Sequence, residues 1–113
     1  MENKRKTKGN RESLLPNRVY SKNFIVVYGF IKKSFGIFFG LSAKSANTVK
    51  RNRVKRVFRS LVKEKLVPCV DVEMVNSFSV CLISKKGIKF GDDIDGLRGE
   101  LEDLVETVAD KIR

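Results

Sequence analysis

Residues 47–66 read NTVKRNRVKRVFRSLVKEKL, and the spacing within them decides how the rest of the chain is read. Val54, Val57, Phe58, Leu61 and Val62, closed by Leu66, fall on the i, i+3, i+4, i+7, i+8 pattern of an amphipathic helix. Stepping about 100° per residue from Asn52 places Arg56, Arg59 and Lys63 on the opposite side. Asn47 or Thr48 supplies an N-cap oxygen, and Pro68 stops the helix just past Leu66. One face must be buried while the other carries cations. Charge runs of this kind are often no more than solvated surface. Here, however, Glu64 is the one acid between Lys44 and Lys65, against nine Lys and Arg. Pairing within the helix cannot neutralise that density, so the face is read as a polyanion-binding surface.

At 113 residues the chain is sized for one domain with one modest core. No apolar run approaches the roughly 20 residues that span a bilayer. The first residues, with Lys4, Arg5, Lys6 and Lys8 followed by polar side chains, do not read as a signal peptide, so a cytoplasmic location is expected. Cys69 and Cys81, in a chain without histidine, do not complete a zinc site and read as ordinary thiols in a reducing compartment.

The charge is unevenly spread. Residues 92–113 hold eight acids against three bases, a net of −5 within the total of +11, which leaves +16 on residues 1–91. A polyanion should therefore contact the earlier part of the chain, with the last segment turned away. Nucleic acid suits this pattern better than an anionic membrane surface.

Residues 1–22 read as a basic N-terminal arm with at most a short helix, and residues 23–113 as a single RNA-binding α+β domain. Within the arm, residues 13–20 (SLLPNRVY) suggest one or two helical turns, limited by Pro16. Residues 23–31 (NFIVVYGFI) predict a strand with Phe24, Val26, Tyr28 and Phe30 on one face and Ile25, Val27, Gly29 and Ile31 on the other. A short turn at Lys32, Lys33 and Ser34 then leads into a second strand over residues 35–43. Such a brief connection favours an antiparallel hairpin. Because both faces of that second strand are apolar, it reads as central and covered on both sides, or as the cover of a cleft.

Residues 70–75 are mixed, residues 77–84 (SFSVCLIS) predict a third strand, and Lys85, Lys86 and Gly87 a turn. Asp92 or Asp93 caps a last helix with Ile94, Leu97, Leu101, Leu104, Val105 and Val108 along one side. The expected fold is a small single-domain α+β sandwich. Its sheet is mostly antiparallel, with the basic helix in a crossover and an amphipathic helix at the C-terminus.

Protein-borne nuclease chemistry needs a general base, a nucleophile or metal-binding carboxylates. Histidine is absent, most acids sit on the last helix in a solvated pattern, and Asp71 with Glu73 is the only other acidic pair. Gly29, Gly36 and Gly40 do not form a phosphate loop before a helix and read as bulges or bends in strands. No catalytic residue is assigned. Tyr28 is either a stacking platform for an unpaired base or a core tyrosine with its hydroxyl at the rim, and the eight phenylalanines are read as core.

Residues 40–62, GLSAKSANTVKRNRVKRVFRSLV, resemble the bacterial ribonuclease P protein subunit. That family carries a Gly-x-Ser strand end, a short lysine-containing loop and an Arg-Asn-x-x-Lys-Arg-x-x-Arg helix. Arg51, Asn52, Arg53, Lys55, Arg56 and Arg59 meet the helix pattern here. The flanks agree, with Phe24 and Tyr28 on an upstream strand, an apolar strand downstream and a last amphipathic helix. The resemblance implies a left-handed crossover for the basic helix, against the common rule. It also implies assembly with a catalytic ribonuclease P RNA that removes the 5′ leader from precursor tRNA, using magnesium held mainly by the RNA and its substrate.

By the same likeness, Arg51, Asn52, Arg53, Lys55, Arg56 and Arg59, joined by Lys44, Lys50 and Lys63 of the same stretch, bind RNA. Tyr28 lines the leader cleft between sheet and first helix. The chain departs from the family in two places. The first helix's pair of phenylalanines is missing, leaving Tyr20 as the aromatic on that side. The loop at residues 40–51 is about two residues short and keeps only Lys44 of a lysine pair. No membrane or obligate protein partner is expected. The competing reading is a ribosomal or other structural RNA-binding protein. DNA binding is disfavoured, because no second helix makes a helix-turn-helix and no dimer seam is visible.

Overall fold

The stretch FSVCLIS at residues 78–84 points apolar side chains to both faces, as suits a strand flanked on both edges and covered above and below. The computed structural model, which describes residues 15–31 and 36–113, places it in that position. Among the described residues the order is β1 (Asn17–Tyr20), β2 (Phe24–Phe30), β3 (Gly36–Gly40), α1 (Thr48–Leu61), β4 (Phe78–Ser84) and α2 (Ile94–Ile112). The sheet runs β1-β2-β4-β3. β1 and β2 pair antiparallel, with Val19 opposite Val26, and β2 and β4 pair antiparallel from Phe24 opposite Ser84 to Phe30 opposite Phe78. β3 runs parallel to β4, with Ile37 aligned on Val80 and Phe39 on Leu82.

The expected hairpin between the second and third strands does not form, because β4 lies between them. A parallel β3–β4 pair needs a long crossover, and α1 with the turns after it provides one. β3 is consequently an edge strand rather than a central one. Its apolar character on both faces still has a reason, since Ile37 and Phe39 pack on the main core while Phe38 faces a smaller cluster on the other side. The turn expected at residues 32–34 lies outside the described residues, as does the basic arm at residues 1–12.

A second correction concerns residues 15–20, the part of the 13–20 segment that lies within the described residues. Asn17–Tyr20 is a strand, not a helical turn, with Val19 buried and Arg18 and Tyr20 exposed in strand alternation. Among the described residues the sheet thus begins at Asn17, inside the segment expected to be an arm. Gly29 is neither a bulge nor a bend. A Cβ there would lie 2.7 Å from Pro16 Cδ, so its bare backbone is what lets the chain enter β1 across β2.

Both helices pack on one face of the sheet. Phe24, Val26 and Tyr28 of β2 and Phe78, Val80 and Leu82 of β4 meet Val54, Phe58 and Leu61 of α1 and Leu97, Leu101, Leu104, Val105 and Val108 of α2. Asp93 rather than Asp92 caps α2, accepting from the Gly96 N–H at 3.0 Å. Among the acids of α2, Glu100 is drawn into the fold rather than solvated. Glu100 accepts from the Ser21 hydroxyl and, at 2.7 Å each, from the backbone N–H and side-chain amide of Asn23, which ties the β1–β2 turn to the helix.

Candidate nucleic-acid interface

The cationic surface is built from the burial of its opposite side. Asn47 caps α1 by accepting from the Lys50 N–H at 2.8 Å. From that start, Val54, Phe58 and Leu61 are buried, and Val62 and Leu66 continue the stripe through a π turn at Val62–Leu66 before a 3-10 turn, Val67–Cys69, that contains Pro68. With those side chains inside, Asn52, Arg53, Arg56, Arg59 and Lys63 are exposed, and Arg51 and Lys55 are half-buried. Among the described residues the ion pairs are Lys50–Asp92, Lys65–Glu106 and Arg113–Asp110, so no carboxylate neutralises Arg51, Arg53, Lys55, Arg56 or Arg59. The acids of α2 reach Lys65, at the end of the rod, and leave the arginine face bare.

Two of these cations are held by an aromatic ring. The Arg59 guanidinium carbon lies 5.0 Å from the Phe39 ring centre and Lys55 Nζ 5.8 Å from it, while Phe58 meets the same ring edge-on at 5.9 Å. This contact restrains Arg59 but leaves its N–H edge able to donate. Arg51 donates from Nη2 to the Thr48 hydroxyl at 3.2 Å, and its buried Nε–H has no hydrogen-bond partner among the described residues.

Lys50 differs from the other cations of the stretch. Its ammonium donates to the Gly91 carbonyl at 3.0 Å and Asp92 Oδ1 at 2.8 Å, with the Phe90 carbonyl at 3.5 Å. It clamps the start of α1 to the loop before α2, and Asp92 offsets its charge there.

Beyond the ends of the parallel strands β3 and β4 lies an open cleft of about 800 Å³. Lys44, Lys86 and Lys89 stand around it, and Leu41 and Ile88 give it apolar lining. Its walls are pinned. The Ser84 hydroxyl accepts from the Ser42 N–H at 2.8 Å and reaches the Gly40 carbonyl at 3.4 Å, and the Phe90 N–H donates to the Ser45 carbonyl at 2.8 Å. Among the described residues none of the three lysines is ion-paired. Sequence reasoning singled out Lys44 but read Lys85, Lys86 and Gly87 only as a turn. Gly87 does turn the chain, at φ 79°, and that turn carries Lys86 and Lys89 to the cleft. The density of lysine in KKGIK was the available signal.

The two tyrosines part company. Tyr28 is 4% exposed, within the main core, and burial pushes its hydroxyl pKa up. Its ring face is therefore not open to a base, which corrects its expected place in a leader cleft. Tyr20 is 60% exposed on the edge strand β1, with Lys85 Nζ 5.9 Å from its ring centre. Among the described residues no three Asp, Glu or Cys side chains gather where they could hold a metal ion, and no helix is long and apolar enough to cross a membrane.

The model of the ribonuclease P family matches residues 15–109. Among solved structures, the chain is similar to the RNase P protein of Staphylococcus aureus, at 18% identity and a TM-score of 0.64, over 96% of this chain and 93% of that one. It is also similar to the RNase P protein of Thermotoga maritima, at 16% identity and a TM-score of 0.53, over 95% of this chain and 86% of that one. No match to a curated protein was found. The structural likenesses establish a shared fold. The family match extends from the entry to β1 almost to the end of α2, so the chain belongs to the ribonuclease P family: it is an RNA-binding subunit of the ribonuclease P ribonucleoprotein, an endoribonuclease complex of tRNA processing in which it partners the ribonuclease P RNA.

Proposed function

We propose that this protein docks on the ribonuclease P RNA through the arginine face of α1 and holds the 5′ leader of precursor tRNA along its lysine cleft, while the RNA carries out the cleavage. The observation that carries the reading is the row of exposed, un-neutralised Arg53, Arg56 and Arg59 on a helix whose other side is locked in the core. Several phosphate contacts of this kind release counterions and give a large, salt-dependent affinity.

The cleft suits the leader. A single strand offers phosphates to Lys44, Lys86 and Lys89 and bases to the apolar surface of Leu41 and Ile88. Tyr20, beside Lys85, is an exposed aromatic suited to stacking. In this reading magnesium is held by phosphates of the RNA and its substrate and supplies charge neutralisation and an activated water there. The protein's own contribution is to raise substrate affinity, and it acts in the cytoplasm.

The test is to add purified protein to ribonuclease P RNA and precursor tRNA at low magnesium. Leader removal should be stimulated, with no cleavage by protein alone. RNA binding without stimulation would instead favour a structural RNA-binding role.

A further inference from the structure

The last helix is the acidic one, and its charge argues that it faces away from RNA. Arg98 breaks that pattern. It is exposed near the start of α2 and lines, together with exposed Arg53 of α1, the narrow seam where Val57 meets Ile94 and Leu97. Asp95 three residues before it and Glu102 four residues after it stand at pairing spacing along a helix. Neither forms an ion pair with Arg98 among the described residues, and no carboxylate lines the seam. Arg53 also lines a groove of about 260 Å³ over the start of both helices, with Val49, Ile94 and the Lys50–Asp92 pair. Since Lys50 and Asp92 offset each other, the charge left over at this place is guanidinium. Both guanidiniums border one apolar seam, and an anion between them would be attracted by the two together. A phosphodiester, with two free oxygens, matches their planar forks.

We propose that Arg53 and Arg98 together grip one phosphodiester of the bound RNA, so that the RNA-facing surface crosses the helix seam onto the first turns of α2. This rests on the reading of α1 as the RNA-docking helix. It is tested by measuring binding of the full-length protein to ribonuclease P RNA over a salt series for wild type, Arg98→Ala, Arg53→Ala and the two together, with Arg56→Ala/Arg59→Ala as reference.

Arg98→Ala should weaken binding about three- to tenfold at fixed salt and lower the slope of log affinity against log salt by roughly one. The double variant should lose less than the product of the two single losses, because both side chains hold one phosphate. Thermal melting of each variant, expected to match wild type, separates lost contact from lost fold. If Arg98→Ala leaves affinity and slope unchanged while the reference variant flattens the slope, the proposal fails and RNA docking on α1 stands. If the reference variant also changes nothing, both fall.

Discussion

The Arg59 guanidinium lies 5.0 Å from the centre of the Phe39 ring, so a strand-edge aromatic of β3 positions a cation of α1. Phe39 in turn is braced edge-on by Phe58, a fully buried residue of the same helix. An arginine restrained in this way loses less side-chain freedom when it meets a phosphate than one waving in solvent.

Phe39→Leu should therefore weaken RNA binding about two- to fivefold, the equivalent of the roughly 0.5–1 kcal/mol of an exposed cation–π contact. Affinity at fixed salt, set beside a urea unfolding curve, checks it. Unaltered affinity in a folded variant would mean the ring does not position Arg59.

Arg56→Ala with Arg59→Ala should flatten the salt dependence of RNA binding by about two contacts' worth, on the order of 0.7–0.9 per phosphate lost. Both side chains are exposed, so thermal unfolding should stay within a few degrees of wild type. An unchanged slope would remove this face from the interface.

Lys86→Glu with Lys89→Glu reverses two of the three charges around the cleft. Affinity of the holoenzyme for precursor tRNA with a long leader should fall roughly tenfold or more, while affinity for tRNA without a leader holds. Equal losses for both substrates would place the leader elsewhere.

Glu100→Ala removes the acceptor for the Ser21 hydroxyl and for two N–H donors of Asn23, which is 9% exposed. Leaving those donors unsatisfied should cost about 1–3 kcal/mol. The denaturant midpoint measures this, and hydrogen exchange at the β1–β2 turn should rise with it.

The Lys50 hydrogen bond, and then its charge, hold the Asp92 carboxyl below the usual range. A depressed folded-state pKa stabilises above the unfolded value and is lost as pH falls through the folded one, so this contribution disappears below about pH 4. For Lys65 the Glu106 hydrogen bond and charge act oppositely, raising its pKa. That contribution is complete below the unfolded lysine value and fades only above about pH 10. Neither pair should produce pH dependence near neutrality. Urea midpoints of wild type and Asp92→Asn should converge on acidification between pH 5 and 3, and parallel curves would contradict the pairing.

What could be read from the residues alone was what repeats along one element. The buried stripe of Val54, Phe58 and Leu61, the Asn47 cap and the stripe of α2 are set by a period of about 3.6, and every residue involved lies within a few turns of the next. The alternation in residues 24–30 likewise assigned Phe24, Val26 and Tyr28 to one face and Val27 to the other. The arginines of the site followed from the same periodicity, because burying one side of a helix exposes the opposite one.

Tertiary structure decided what depends on contacts between distant segments. Whether β3 sits beside β2 or beside β4 is a choice among pairings whose local sequences look alike, and only the whole sheet, with α1 as its crossover, settles it. Lys50 and Arg53 are equally cationic on paper, yet a loop some 40 residues away captures one and leaves the other exposed. Tyr28 had two readings that local pattern could not separate, and both helices packing on its face of the sheet put it in the core. The sequence by itself determined a helix with one greasy and one cationic side. The fold determined which cations remain unpaired, because neutralisation depends on what long-range packing brings within a few ångströms.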